Sequence, residues 1–318
     1  MHHRSFLLTL LLSFLSVGSL ASGGDLPLAD SGQLYVSSSS ADEIVVYDEG
    51  GGFLRSFTAP GLNGPRGITI SSGRIYVASQ LSHEVFVFTA GEAYLTKFSH
   101  AQLAGPTGMA VGPSAELFVS SYSNDQVVVF DLDGNYQRTF TGGGLNGPNC
   151  VAFDSLGAIY VASALTARVI KFDSSEVFQF SFTGGGLSSP MGIARDGSDR
   201  LYVAGGGSGN VVMFDTSGAY LGQIGHPDLT GPQGVVFDDR GHLFSSSFYQ
   251  NKLVEFDETG TYVQTITAGG LLVPRSMAFA PVVAAAVPAM GHLGLILLVA
   301  LLLIAGAVVV RRRNDSLA

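Results

Sequence analysis

One proline recurs six times along the chain, at Pro65, Pro106, Pro148, Pro190, Pro232 and Pro274, at intervals of 41, 42, 42, 42 and 42 residues. Four copies open Pro-x-Gly: Pro65-Arg66-Gly67, Pro106-Thr107-Gly108, Pro190-Met191-Gly192 and Pro232-Gln233-Gly234. The other two read Pro148-Asn149-Cys150 and Pro274-Arg275-Ser276. A period of this length implies one supersecondary unit per repeat, each burying its apolar faces on its neighbours.

Each unit carries four short strand patterns. The first follows the proline, as in Met109-Ala110-Val111 and Val151-Ala152-Phe153. Its middle residue is usually small and its flanks large, so alternate faces are large and small and neighbouring units can interlock around a narrow axis. The second reads Leu34-Tyr35-Val36, Ile75-Tyr76-Val77 or Ile159-Tyr160-Val161, rich in β-branched and aromatic residues. Ten residues later comes the third, such as Ile44-Val45-Val46-Tyr47 and Val127-Val128-Val129-Phe130. The fourth, such as Tyr136 to Phe140, is more polar and is expected at the outer edge. The pattern enters at a second strand, Leu34, and leaves on a lone first strand, Ser276 to Ala280. The sequence therefore predicts an all-β, six-bladed β-propeller closed by N- and C-terminal strands in one blade, over residues 33–281.

The two ends read differently. Residues 1–21 have the layout of a signal peptide: Arg4, a leucine-rich run from Ser5 to Val17, then small Ser19 and Ala21 before a cleavage point. Residues 22–32 form a linker, and the mature chain is expected to start near Ser22. Leu293 to Val310 is an apolar run of 18 residues followed by Arg311, Arg312 and Arg313. At about 1.5 Å per residue it matches a bilayer core, so 293–310 is read as a transmembrane helix and 311–318 as a basic cytoplasmic tail. Both signals place the repeat region outside the cytoplasmic membrane.

Between these ends, Ser22 to Val310 holds 12 basic against 24 acidic residues, a net charge of −12. Nucleic-acid binding needs a basic footprint and is excluded as a function class. The lone Cys150 takes a repeat position held elsewhere by glycine and reads as a small buried residue.

The unit Pro-x-Gly, small hydrophobic strand, Gly-x-Leu-Tyr-Val-Ala, then Val-x-x-Phe-Asp resembles the NHL repeat and the related six-bladed lactonase-like propellers. The fullest copy runs from Pro148 to Phe182, with Asp154-Ser155-Leu156-Gly157, Ile159-Tyr160-Val161-Ala162 and Phe172-Asp173. The resemblance covers Leu34 to Pro281. Residues 282–292 form a linker whose end, Val287-Pro288-Ala289-Met290-Gly291-His292-Leu293-Gly294-Leu295, is similar to Ile-Pro-Thr-Leu-type bacterial sorting signals. Pro288, Gly294 and Leu295 match it, whereas Val287, Ala289, Met290 and Leu293 depart, the last replacing a tryptophan.

The lactonase-like resemblance implies metal ligands and a catalytic acid at the channel mouth, two of them on the x of Pro-x-Gly. Those positions here are Arg66, Thr107, Asn149, Met191, Gln233 and Arg275. With no carboxylate among them a hard cation lacks its charge, so no metal and no cofactor is expected. Lyases of NHL type use channel histidines. His100 and His226 fall on opposite sides of a six-fold ring, His83 in a loop and His242 in a turn, which gives no converging set. Asp131-Leu132-Asp133-Gly134-Asn135 starts like an EF-hand loop, but Gly142 stands at its twelfth position. Its aspartate recurs in other repeats and reads as a hairpin turn. Gly142-Gly143-Gly144 and Gly184-Gly185-Gly186 lack the lysine of a phosphate loop.

The expectation is a non-catalytic binding or scaffold module, membrane-anchored or sorted to the surface; the alternative is a divergent extracytoplasmic lyase or lactonase-type hydrolase. Arg66 and Arg275 become neighbours on ring closure, and two guanidinium groups at one mouth call for an anion or an acidic side chain between them. The expected partners are a small anionic ligand or a protein, the membrane through the C-terminal helix, and a sorting protease.

Overall fold

The computed structural model describes residues 32–280. The signal peptide, most of the first linker, the sorting-like motif with Val287, Pro288 and Gly294, and the C-terminal helix and tail lie outside the described residues. These residues form 24 strands in six four-stranded sheets. Each sheet is one blade, read from the axis outward in the order first, second, third and fourth strand of the repeat.

Closure follows the out-of-phase ends of the repeat. The first sheet runs β24 (Pro274–Phe279), β1 (Leu34–Ser38), β2 (Glu43–Tyr47), β3 (Phe53–Phe57). The antiparallel register pairs Leu34 with Phe279, Tyr35 with Ala278 and Val36 with Met277. The other five innermost strands are β4 (Pro65–Ser71), β8 (Pro106–Val111), β12 (Pro148–Phe153), β16 (Pro190–Arg195) and β20 (Pro232–Phe237).

The core is a ring of six apolar clusters, one at each blade junction. Between the first two blades Tyr35, Ile44 and Val46 pack on Ile68, Ile75, Val77, Phe86 and Phe88. Fully burying each such side chain is worth about 1.5–3 kcal/mol. Four junctions add aromatic pairs from the end of an outer strand to the next blade's third strand. These are Phe57–Phe88, Phe98–Phe130, Phe140–Phe172 and Phe182–Phe214, with centroids 4.9–5.1 Å apart. Such pairs add about 0.5–1.5 kcal/mol beyond their area.

Polar latches repeat as regularly. The hydroxyl oxygens of Ser38, Ser79, Ser121, Ser163 and Ser247 accept backbone N–H groups of the loops leading into the inner strands, at 2.7–2.9 Å. A second latch uses side chains on positive-φ residues: Asp42, His83, Asp125 and Asn251 accept the N–H of the residue before the repeat proline, at 2.7–2.8 Å. These tie blade to blade and satisfy backbone donors that the proline leaves without a ladder partner.

Candidate functional site at the channel mouth

The six inner strands meet at the axis. Pro opens each one, where its missing N–H costs no ladder bond. Just after it the pairing register shifts in every blade, for instance between Pro65 and Ile68 and between Pro232 and Val235. A bulge turns its residue out of the ladder. In five of the six blades the x of Pro-x-Gly, seated at this bulge, lines the channel. The glycine that follows is demanded by close approach of the next blade. A Cβ on Gly67 would stand 2.2 Å from the Thr107 carbonyl oxygen, and one on Gly108 2.5 Å from that of Asn149.

Arg66, Asn149, Met191, Gln233 and Arg275 line one cavity of about 40 Å³, with Cys150 and Ser276 among its other walls. That is room for a few waters or a carboxylate group. Thr107, expected in the same ring, is turned away: it is fully buried and its hydroxyl donates to the Pro148 carbonyl at 2.9 Å. The ring of mouth residues therefore has five members instead of six. The Asn149 side-chain amide lines the cavity and makes no hydrogen bond with the described residues.

The two arginines define the electrostatics. Six of the nine arginines in the described residues pair with an acid: Arg55, Arg74, Arg138, Arg195, Arg200 and Arg240. Arg168 is exposed and donates to the Ser181 hydroxyl. Arg66 and Arg275 have no carboxylate partner among the described residues. Arg66 Nε donates to Gln80 Oε1 at 2.5 Å. Burial pushes its guanidinium below the usual arginine range. Arg275 Nη1 donates to Gln233 Oε1 at 2.9 Å, and its guanidinium lies over the Phe248 ring, 4.2 Å from the centroid. Its Nε is buried and has no hydrogen-bond partner among the described residues. Burial first, and the nearby Arg66 charge second, push Arg275 down to about 9. The two guanidinium groups are partly buried and Arg66 acts against Arg275, a repulsion that an anion in the cavity offsets.

Cys150 faces this cavity as a thiol, since burial pushes it up. Its Sγ lies 3.9 Å from the Ile193 carbonyl oxygen.

No histidine, aspartate or glutamate among the described residues lines the cavity. His83 serves as one of the blade latches, its Nδ1 accepting from Gly105 N at 2.8 Å. His100 and His226 stack on Tyr136 and Tyr262 of the following blades, with centroids 3.9 and 4.0 Å apart. His242 Nδ1 lies 2.7 Å from Glu255 Oε1, so it holds a buried carboxylate and does more than fill a turn. Asp238, His242 and Glu255 hold one potential ligand atom each within 4.8 Å of one another. Arg240 bridges both acids of that group, and Gln264 donates to Glu255 at 2.6 Å, making a closed polar network. Sequence reasoning missed Glu255, whose third-strand position is apolar in four repeats and holds Lys171 in another. The EF-hand-like segment is a turn, with Asp131 Oδ1 accepting from Asp133 N at 3.0 Å and Asn135 N at 2.8 Å.

No protein-family model and no curated protein matches the chain. Solved structures do. A catalytically inactive histidine-to-alanine variant of virginiamycin B lyase from Staphylococcus aureus, with quinupristin, aligns at TM-score 0.62 and 14% identity over 80% of this chain and 91% of that one. A chain of the nidogen/laminin complex aligns at TM-score 0.67 and 14% identity, over 77% and 97%. A protein of unknown function from Bacteroides caccae gives 0.62 and 14%, over 78% and 98%. At these identities the likeness is one of fold, and the chain is a six-bladed β-propeller.

Proposed function

We propose that this propeller is a non-catalytic binding module of the NHL type, displayed outside the cytoplasmic membrane, whose channel mouth takes an anionic group. One observation carries the reading: two partly buried guanidinium groups line one small cavity and have no carboxylate partner among the described residues. The alternative, a lyase or lactonase-type hydrolase, has fold likeness behind it. The lyase named above is inactive without one of its histidines, whereas none of the described residues lining this mouth is a histidine or an acid.

Calorimetric titration with small carboxylates and uronic acids tests the mouth. Wild type binds carboxylates with an affinity that falls as salt rises, and the Arg66→Ala/Arg275→Ala variant loses both the binding and its salt dependence. Equal affinity in the double variant would place the site elsewhere. Placement is read from the two terminal signals of the sequence: the N-terminal leader and the apolar run closed by Arg311, Arg312 and Arg313. Protease added to spheroplasts digests the propeller if it is displayed; complete protection puts it in the cytoplasm.

A further inference from the structure

The rim of the same mouth carries three exposed large apolar side chains, Leu81, Leu165 and Tyr249, at 63%, 62% and 73% exposure. They stand 84 residues apart, on alternate blades. Each is tied to the loop that leads into a mouth residue of its own blade. Leu81 N donates to Asn63 O at 3.2 Å, Leu165 N to Asn146 O at 3.2 Å and Tyr249 N to Thr230 O at 3.3 Å. They therefore flank Arg66, Asn149 and Gln233. The blades between carry Ser40, Ser123 and Gly207 at that position. The result is an apolar collar interrupted by small residues, set around a cationic hole.

From this arrangement we infer that the ligand is the free C-terminus of a peptide ending in apolar residues. The inference rests on the anion-binding reading of the mouth and narrows it. A cavity of about 40 Å³ takes a carboxylate-sized group, and a longer ligand extends from it onto the collar. The terminal carboxylate sits between Arg66 and Arg275, which line the cavity without a carboxylate partner among the described residues. The Asn149 side-chain amide, lining the cavity with donors and an acceptor uncommitted, meets the last peptide group. Apolar side chains of the peptide cover Leu81, Leu165 and Tyr249. Three separated apolar contacts with polar groups between them match the alternation of side chains and amides along a peptide. A fatty-acid tail needs one continuous apolar groove.

The test is calorimetry on the full-length protein in lipid nanodiscs, with four probes. These are acetyl-Gly-Ala-Leu-Phe-Leu as the free acid, the same peptide amidated, acetyl-Gly-Ser-Gly-Ser-Gly as the free acid, and dodecanoate. The apolar acid binds tightest, its amide about 30-fold more weakly and the Gly/Ser acid about 10-fold more weakly. In the Leu81→Ser/Leu165→Ser/Tyr249→Ser variant, whose changes are all exposed, the apolar acid falls to the level of the Gly/Ser acid, which is itself unaffected. Equal binding of the two acids to wild type removes the collar from recognition and leaves the anion site standing. Equal binding of acid and amide overturns the anion site itself. Tighter binding of dodecanoate than of the apolar peptide replaces the peptide by a fatty acid, and silence from all four overturns both readings.

Discussion

Arg275 occupies a place where its charge costs free energy, and the sign of that cost can be measured. Its folded-state value is pushed down to about 9 by burial and by Arg66, against an ordinary value above 12. Below pH 9 folded and unfolded states both carry the proton and the whole penalty applies. Above it the unfolded state binds more protons than the folded one, so this group's contribution to stability rises with pH. Arg275→Gln, which keeps a polar group beside Gln233, is expected to stabilise by about 1 kcal/mol, or about 2–4 °C in Tm, at neutral pH. Thermal melts of the two proteins should show a gain that is flat from about pH 6 to 8 and shrinks above about 9. A loss of Tm in the variant, or a gain indifferent to alkaline pH, would show that the arginine is not strained. Thr107 holds the same repeat position and makes the opposite case. Its short side chain is spent on the Pro148 and Ser120 carbonyls, so repeat position alone did not decide which residues form the site. Side-chain reach decided it.

At the scale of the strand, the repeat was legible because three physical demands fall on consecutive residues. Proline opens the inner strand, the next residue sits in the bulge, and glycine admits the neighbouring backbone. Gly67→Ala puts a Cβ 2.2 Å from the Thr107 carbonyl oxygen and 3.0 Å from the Gly108 Cα. Backbone on both sides of the contact has nowhere to go, so the variant is expected to lose about 2–3 kcal/mol in urea unfolding. Unchanged stability would mean that the inner strands part without loss. Other features were hidden for equally physical reasons. The acceptors that latch the blades are Asp42, His83, Asp125 and Asn251, four positions with one geometry but three residue types, so no single letter marks them all. The collar of Leu81, Leu165 and Tyr249 recurs only every second repeat, in loops that carry no strand periodicity. Arg275 stacks on Phe248 across a blade boundary, a contact that spacing along the chain does not reveal.

For the whole molecule, the decisive element is the seam. A chain ending at Leu272 loses β24 and, with it, Met277 and Phe279 from the cluster that joins Phe244 and Leu253 to Val36 and Val45. It also bares the edge of β1, which then offers unpaired backbone groups to other chains. This truncation should melt well below the intact propeller and elute as oligomers in size exclusion. A melt matching the intact protein would show that the ring does not depend on its last strand. The seam also sets a clock. Leu34 and Phe279 pair across 245 positions, so the first strand cannot find its partner until almost the entire propeller has been made. At about 5–20 residues per second of synthesis, that wait is about 12–50 s. Until then the ring stays open, with its first strand unpaired on the axial side, and a chain in that condition can still be threaded through a narrow pore.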